Sequence, residues 1–421
     1  MIKTHKYKFL FFIGVLVVVW LVWPIYGFYS HRDQVPISPF GWLDAPVENP
    51  TAQDLKNLDY AGAGAKALKI LSQHRENIGA PAISAAVAVR GEIVWAGASG
   101  WADIESKTPA TPQTRFRIGS TSKALTATAL ARLVDAGFIQ LDSPISQYLD
   151  DLPNPEWGVI TPRQLASHMA GLLDYKRNRD WFGLYQTMAL QTHYDNVRGS
   201  LNVFDGSPLL FEPGTDFLYT SFSTVLLGAV LGGAAEMSYL DVMQNQVFGP
   251  NNMTATIIAP ENSGGTENIA TFYKRDKQRS GKVRPWRAVD LTHRLPGGGF
   301  ASTSSDLVKL GSAWLDENYI AASTREEFWT PQILANGKVN PQNYALGWRY
   351  REYEVEEVGV LRNANHGGVS RGAQSWLLVF PDYEMAVAFN INSKTDEFVE
   401  FGILYKDLAR EFVQVYSAAN E

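Results

Sequence analysis

Phe116-Arg117-Ile118-Gly119-Ser120-Thr121-Ser122-Lys123 runs directly into Ala124-Leu125-Thr126-Ala127-Thr128-Ala129-Leu130-Ala131. The Ala- and Leu-rich stretch predicts a helix over Lys123 to Ala136, with Gly137 placed as its C′ residue. Ser120 and Lys123 are three apart at the start of that helix, so the two side chains are neighbours on one face. The positive end of the helix favours an anionic oxygen there. An apolar helix is expected to be buried, and burial lowers a lysine pKa because it disfavours the charged form. A neutral Lys beside a Ser can serve as its base. Taken alone the pair has a plainer reading, in which Ser120 caps the helix and Lys123 is solvated.

Two further segments bear on that choice. Phe217-Leu218-Tyr219-Thr220-Ser221-Phe222 leads into an apolar helix from Thr224 to Leu231, so Tyr219 stands at a helix entry, suited to presenting a phenol to a cleft. A core tyrosine with a satisfied hydroxyl is the ordinary alternative. Asn365-His366-Gly367-Gly368-Val369-Ser370-Arg371-Gly372 precedes a predicted strand, Ser375 to Phe380. Adjacent glycines at a strand let a ligand approach the backbone, whose N–H groups can hold a carboxylate or an oxyanion. A tight bend with a satisfied histidine is the plainer reading.

Around these segments the pattern is strand-rich at both ends and helical between. A helix is expected over Gln53 to Glu76, and a hairpin over Ala82 to Val89 and Ile93 to Ala98, turning at Arg90-Gly91. From Leu141 to Val289 the chain reads as helix and loop. Alternating aromatics at Tyr344 to Glu354 and the run Met385 to Asn390 give further strands, and Glu397 to Val415 closes the chain as an amphipathic helix. Distant segments therefore complete one sheet, with a mainly helical subdomain at 126–289 inserted into a sheet domain at 51–125 and 290–421.

Residues Phe9 to Tyr29 are almost unbroken apolar sequence, preceded by Lys3, Lys6 and Lys8. A helix of that length spans roughly 30 Å, the thickness of a bilayer core. Residues 1–30 thus read as a cytoplasmic start and a transmembrane anchor. By the positive-inside rule this is a single pass in the inner (cytoplasmic) membrane, with the catalytic body on the exported, periplasmic side. No small-x-small cleavage site follows the run. Residues 31–50, with Pro36, Pro39, Pro46 and Pro50, read as an extended linker.

Composition narrows the function. The 421 residues suggest two or three domains, and 45% hydrophobic against 19% charged is globular. Net charge is −6, and three of the 37 positive residues precede the membrane run, so the body is more acidic still. Such a surface is a poor partner for nucleic acid. With no cysteine there is no disulfide framework, thiol nucleophile or thiolate metal site. The seven histidines show neither H-E-x-x-H nor H-x-H spacing, so no metal is expected; His168, in an apolar context, reads as structural. Gly297-Gly298-Gly299 lacks a P-loop Lys, and no cofactor is implied.

The order Ser120/Lys123, then Tyr219, then His366-Gly367-Gly368 resembles the serine β-lactamase and penicillin-binding-protein family, whose members combine S-x-x-K, a Tyr-led motif and a K/H-x-G strand. The spacing is similar to the class C branch, and Leu218-Tyr219-Thr220-Ser221-Phe222 looks closest to the mitochondrial β-lactamase-like proteases. Gly100-Trp101-Ala102-Asp103, Leu165-Ala166-Ser167-His168-Met169-Ala170-Gly171-Leu172, Gly298-Gly299-Phe300-Ala301-Ser302-Thr303 and Leu346-Gly347-Trp348 carry the likeness across roughly residues 60 to 415. The resemblance implies an α/β (α+β) β-lactamase/transpeptidase-like fold, an antiparallel sheet flanked by helices. It implies Ser120 as nucleophile, Lys123 and Tyr219 as its bases, and an oxyanion site from the N–H groups of Ser120 and Val369. His366, Gly367, Gly368 and Ser221 fall to substrate binding. Two positions depart from the family. Ser221 replaces an Asn whose amide contacts a lactam side chain, and His366 replaces a Lys, weakening attraction for a carboxylate.

The expected function is a membrane-tethered serine hydrolase acting through an acyl-Ser120 intermediate on an ester, peptide or amide. A D-alanyl carboxypeptidase or β-lactamase of the same fold is the nearest alternative, and a non-catalytic peptidoglycan or peptide binder a third. The partners expected are a small-molecule or peptide substrate and the membrane. Gly368-Val369-Ser370-Arg371-Gly372 also matches G-x-S-x-G, but that elbow needs a helix after the Ser and a later His, and neither is present.

Overall fold

The computed structural model describes residues 2–46, 48–262, 268–279 and 281–420, with the side chains of 2–6, Lys3 and Lys6 among them, outside the described residues. Its centre is an antiparallel sheet. The strands are β1 (Thr51–Leu55), β2 (Ala82–Val89), β3 (Glu92–Asp103), β4 (Arg349–Val355), β5 (Gly359–Ser370), β6 (Ala373–Phe380) and β7 (Met385–Ile391). They lie in the order β4-β5-β6-β7-β2-β3-β1, and Thr108–Pro109 adds an eighth short strand beside β3. The N- and C-terminal parts of the chain meet where β2 pairs with β7, in the register Val87↔Val387.

Both faces of the sheet are covered, which is why β2, β6 and β7 are buried along their whole length. On one face Ala86, Ala88, Leu377 and Val379 pack with the helices α3 (Ser122–Asp135), α5 (Ser221–Ala234) and α6 (Ser304–Ala313). On the other, Val87, Leu378 and Phe389 pack with α2 (Ala61–Asn77) and α8 (Leu404–Ala418). The period-two alternation of the strands sends alternate side chains to the two layers.

Three expectations need correction. The helix expected from Gln53 begins only at Ala61, because Thr51–Leu55 pairs with β3 as an edge strand and Asn57 caps a short 3-10 turn through Asp59. The helix runs on through Gly62 and Gly64; a Cβ at Gly64 would lie 2.8 Å from the Trp95 ring, so glycine lets the indole lie against the helix. The closing helix is broken, with α7 (Phe398–Gly402) ending just before α8, and this break shapes the cleft described below. The proline-rich segment is not a free tether. Leu43–Asp44 pairs with Lys282 and Val283, Trp101 Nε1 donates to the Glu48 carbonyl, and Lys274 pairs with Asp33.

The apolar N-terminal run forms a 29-residue helix, α1 (Ile2–Ser30), with Pro24 inside it. Among the described residues it is the one unbroken helix long and apolar enough to cross a membrane, over Tyr7–Ser30, and most of its apolar side chains are exposed. The helix Trp181–Ala189, α4, lies beside it, and Tyr185 Oη donates to the Leu21 carbonyl.

Candidate active site

Ser120 lies in the 3-10 turn Gly119–Thr121 that opens into α3, so Lys123 stands one turn further along the same face. The Lys123 side chain is 1% exposed. Its ammonium nitrogen is 3.2 Å from Ser120 Oγ, 3.0 Å from Ser221 Oγ and 2.8 Å from the Gly297 carbonyl oxygen. Burial holds the amine below the ordinary lysine value, and the charges of Arg294 and Arg349 act in the same direction. Helix burial, inferred above from the Ala- and Leu-rich run, is thus the physical origin of a depressed lysine.

Tyr219 comes just before the Thr220 cap of α5, whose hydroxyl accepts from Phe222 N. Its ring lies 5.0 Å from Lys123 Nζ, centroid to nitrogen, and it lines the same cleft as Ser120. Burial pushes the phenol up, but the charges of Lys123 and Arg349 and the bond from Ser120 outweigh it, so the net direction is down. Arg349 stacks on this ring and on that of Tyr344, its guanidinium carbon 5.3 and 4.8 Å from the two centroids. Below Tyr219 lies the buried ring of His168, 4.4 Å away centroid to centroid, with neither nitrogen bonded.

The glycine segment forms the second half of β5. Thr121 Oγ1 donates to the His366 carbonyl, which ties this strand to the serine turn. A Cβ on Gly368 would lie 1.9 Å from the Ile118 oxygen and 2.8 Å from Thr121 N, and one on Gly119 would lie 2.9 Å from Val369 N. Only glycine permits this approach of two backbones. Gly368→Ala is therefore expected to push the strand off the turn. A displacement of ~1 Å costs about 10²-fold in rate, to be checked as kcat/KM with circular dichroism confirming the fold.

The structure brings Ser120, Lys123, Ser221 and Tyr219 together, but gives His366 a different place from the one expected. His366 is fully buried, its Nε2 2.8 Å from Tyr344 Oη and its Nδ1 2.9 Å from the Gly367 carbonyl oxygen. Burial, with Arg349 and Lys123 nearby, keeps it neutral, well below the ordinary histidine value. It does not line the cleft, nor does Gly368, whereas Gly367 and Val369 do. Arg349 is one of the cations facing the cleft; it follows the Leu346-Gly347-Trp348 phrase and could have been noticed there. Ser370, the serine of the G-x-S-x-G match, is buried in β5 with its Oγ unbonded and no catalytic partner.

The cleft beside Ser120 encloses about 730 Å³. Its cationic side carries Arg349, Arg351 and Lys406, and its apolar wall is Trp376, Phe398, Val399 and Ile403 around the break between α7 and α8; among the described residues no carboxylate lines it. Such an arrangement can hold an acyl compound with an apolar group against one wall and negative charge against the other. Among the described residues, one cluster outside the cleft has ligand-type atoms, His193, Glu261 and Asp290, where His193 Nδ1 is 2.8 Å from the buried Asp290 carboxylate.

Residues 68–410 match the family model described as Beta-lactamase. The chain is 30% identical over 393 residues to the mitochondrial serine beta-lactamase-like protein LACTB of Homo sapiens, covering 74% of this chain and 71% of that protein. It is 25% identical over 326 residues to penicillin-binding protein 4* of Bacillus subtilis (strain 168), covering 75% and 68%. The fold superposes on the crystal structure of D-amino acid amidase from Ochrobactrum anthropi SV3 with a TM-score of 0.67, at 22% identity, over 86% of this chain and all of that one. The chain belongs to the Beta-lactamase family of serine hydrolases.

Proposed function

We propose that the protein hydrolyses an ester or amide through an acyl intermediate on Ser120. The observation that carries this reading is a buried amine, held below its ordinary pKa, 3.2 Å from Ser120 Oγ. Lys123, in contact with Tyr219, takes the hydroxyl proton as Ser120 attacks the acyl carbon. The N–H groups of Ser120 and Val369 take the negative charge of the tetrahedral intermediate. The same Lys123/Tyr219 pair returns a proton to the leaving group. It then activates the water that releases the acyl group.

The substrate proposed is an ester or peptide rather than a penicillin. Ser221 offers no amide donor, and its hydroxyl already accepts from Lys123. A lactam side chain left without that donor loses about 1–3 kcal/mol, roughly tenfold in rate for each 1.36 kcal/mol. We expect p-nitrophenyl butyrate to be turned over well and nitrocefin poorly, and Ser221→Asn to raise the nitrocefin-to-butyrate ratio of kcat/KM. Wild-type nitrocefin turnover near the diffusional limit would contradict this.

Support for a membrane setting comes from α1, which is proposed to cross the inner membrane once, with Lys3, Lys6 and Lys8 on the cytoplasmic side and the body exported. Protease added outside intact spheroplasts should digest the body. Protection of the body until the membrane is ruptured would reverse the orientation.

A further inference from the structure

A second cavity, of about 580 Å³, lies where α1 meets the body, and its wall includes Phe28, Arg32, Tyr175, His293, Arg294 and Arg371. Several of its polar atoms are unsatisfied. Tyr175 Oη, His293 Nε2, and Nε and Nη2 of Arg294 are buried without a hydrogen-bond partner among the described residues. Arg294 is 9% exposed. Phe28 is approached by two guanidinium groups, Arg32 at 4.8 Å and Arg371 at 5.8 Å from its centroid. Neither Arg294 nor Arg371 has a carboxylate partner among the described residues. The carboxylate that does line the cavity, Asp174, is turned to the backbone N–H groups of Lys176 and Arg177. Buried donors and cations without acceptors are costly, and a cluster of them marks a place for an anion. Arginines paired with tyrosine and histidine donors suit the several oxygens of a phosphate.

The position of the cavity selects the source of that phosphate. Phe28 and Tyr29 end the apolar helix, and Leu184 and Met188 of α4 form the opposite apolar wall. The α4 residues Trp181 and Phe182, 85% and 53% exposed, present aromatic rings on a helix that leans against α1, as residues at a membrane interface do. A phosphate entering here can keep its acyl chains alongside α1. We propose that this cavity binds the headgroup of an anionic phospholipid, with Arg32, Arg294 and Arg371 facing the phosphate. The proposal rests on α1 lying in a membrane and is independent of which serine is acylated.

Burial and the charges of Arg294 and Arg32 bring Arg371 down to about 9, and burial with Arg294 and Arg371 holds His293 well below its ordinary value. Both are what an uncompensated positive cluster produces, and an anion would relieve both.

The test is native mass spectrometry of the full chain in mild detergent, exposed to equal amounts of phosphatidylglycerol and phosphatidylcholine, with and without inorganic phosphate. The expected result is one retained phosphatidylglycerol, preferred over phosphatidylcholine and not displaced by phosphate at the lipid's concentration. Arg32→Gln and Arg371→Gln should each weaken retention at least about tenfold. If either fails to fold, Tyr175→Phe, which removes a hydroxyl that bonds to nothing, decides the matter by a smaller loss in the same direction. Equal retention of both lipids, no retained lipid, or retention unchanged in the variants would overturn the proposal. Displacement by inorganic phosphate would assign the site to free phosphate and overturn the lipid reading.

Discussion

Ser120→Ala is expected to abolish labelling by a fluorophosphonate probe and to lower ester turnover by several orders of magnitude. Removal of an attacking oxygen leaves only binding and oxyanion stabilisation, which cannot sustain the acyl step. The competing serines lack its setting. Ser122 is buried with an unbonded hydroxyl, and Ser370 is buried within β5 with its hydroxyl unbonded. Ser122→Ala and Ser370→Ala should therefore label like the wild type. Labelling lost in Ser370→Ala but kept in Ser120→Ala would refute the assignment.

Lys123→Met is the second large effect. It removes the base while keeping an unbranched side chain in an apolar helix, and kcat/KM should fall about 10²–10⁴-fold, the usual contribution of general-base catalysis. The wild-type pH profile should show the same group. The amine works when neutral, so activity is present above its folded pKa and is lost as pH falls through it. Because burial lowers that pKa, the acid limb should lie below the ordinary lysine value. Stability carries a linked signature. Between the folded and the unfolded pKa the unfolded chain binds the extra proton, so stability rises with pH across that window. The Met variant should lose that part of the slope, read by urea unfolding at several pH values. An unchanged acid limb in Lys123→Met would assign the titration to another group.

Much of this was legible in the residues because local and tertiary requirements coincide there. The Ala- and Leu-rich run after Ser122 forms a helix by propensity and is buried by composition, so the Ser120/Lys123 face followed from spacing alone. The hairpin at Arg90-Gly91 was legible for the same reason: an apolar run turns where Arg90 and Gly91 both take positive φ. Other parts depended on distant contacts. The strand Gly359–Ser370 carries Asn363, Asn365, His366, Gly367 and Gly368, a composition with no strand signal, and is fixed by pairing with β4 and β6. Thr51–Leu55 has helical-looking leucine spacing with Leu58, yet the open edge of β3 claims it. The resemblance assigns His366 to substrate binding because it stands where the family has a Lys. Tyr344, 22 positions earlier, takes its Nε2, and the cleft's charge comes from Arg349, Arg351 and Lys406. The apolar wall arises from a break at Ile403 inside what reads as one amphipathic helix.

The central claim is that an acyl group passes through Ser120. It is tested most directly by quenching the protein with a slowly released ester or penicillin in acid, digesting it, and sequencing the modified peptide by mass spectrometry. The account predicts a single acyl adduct on Ser120, within the peptide that contains Gly119 and Lys123, and none in Lys123→Met at the same reaction time. An adduct on Ser122, Ser370 or any other residue, or hydrolysis with no adduct at any quench time, would contradict it.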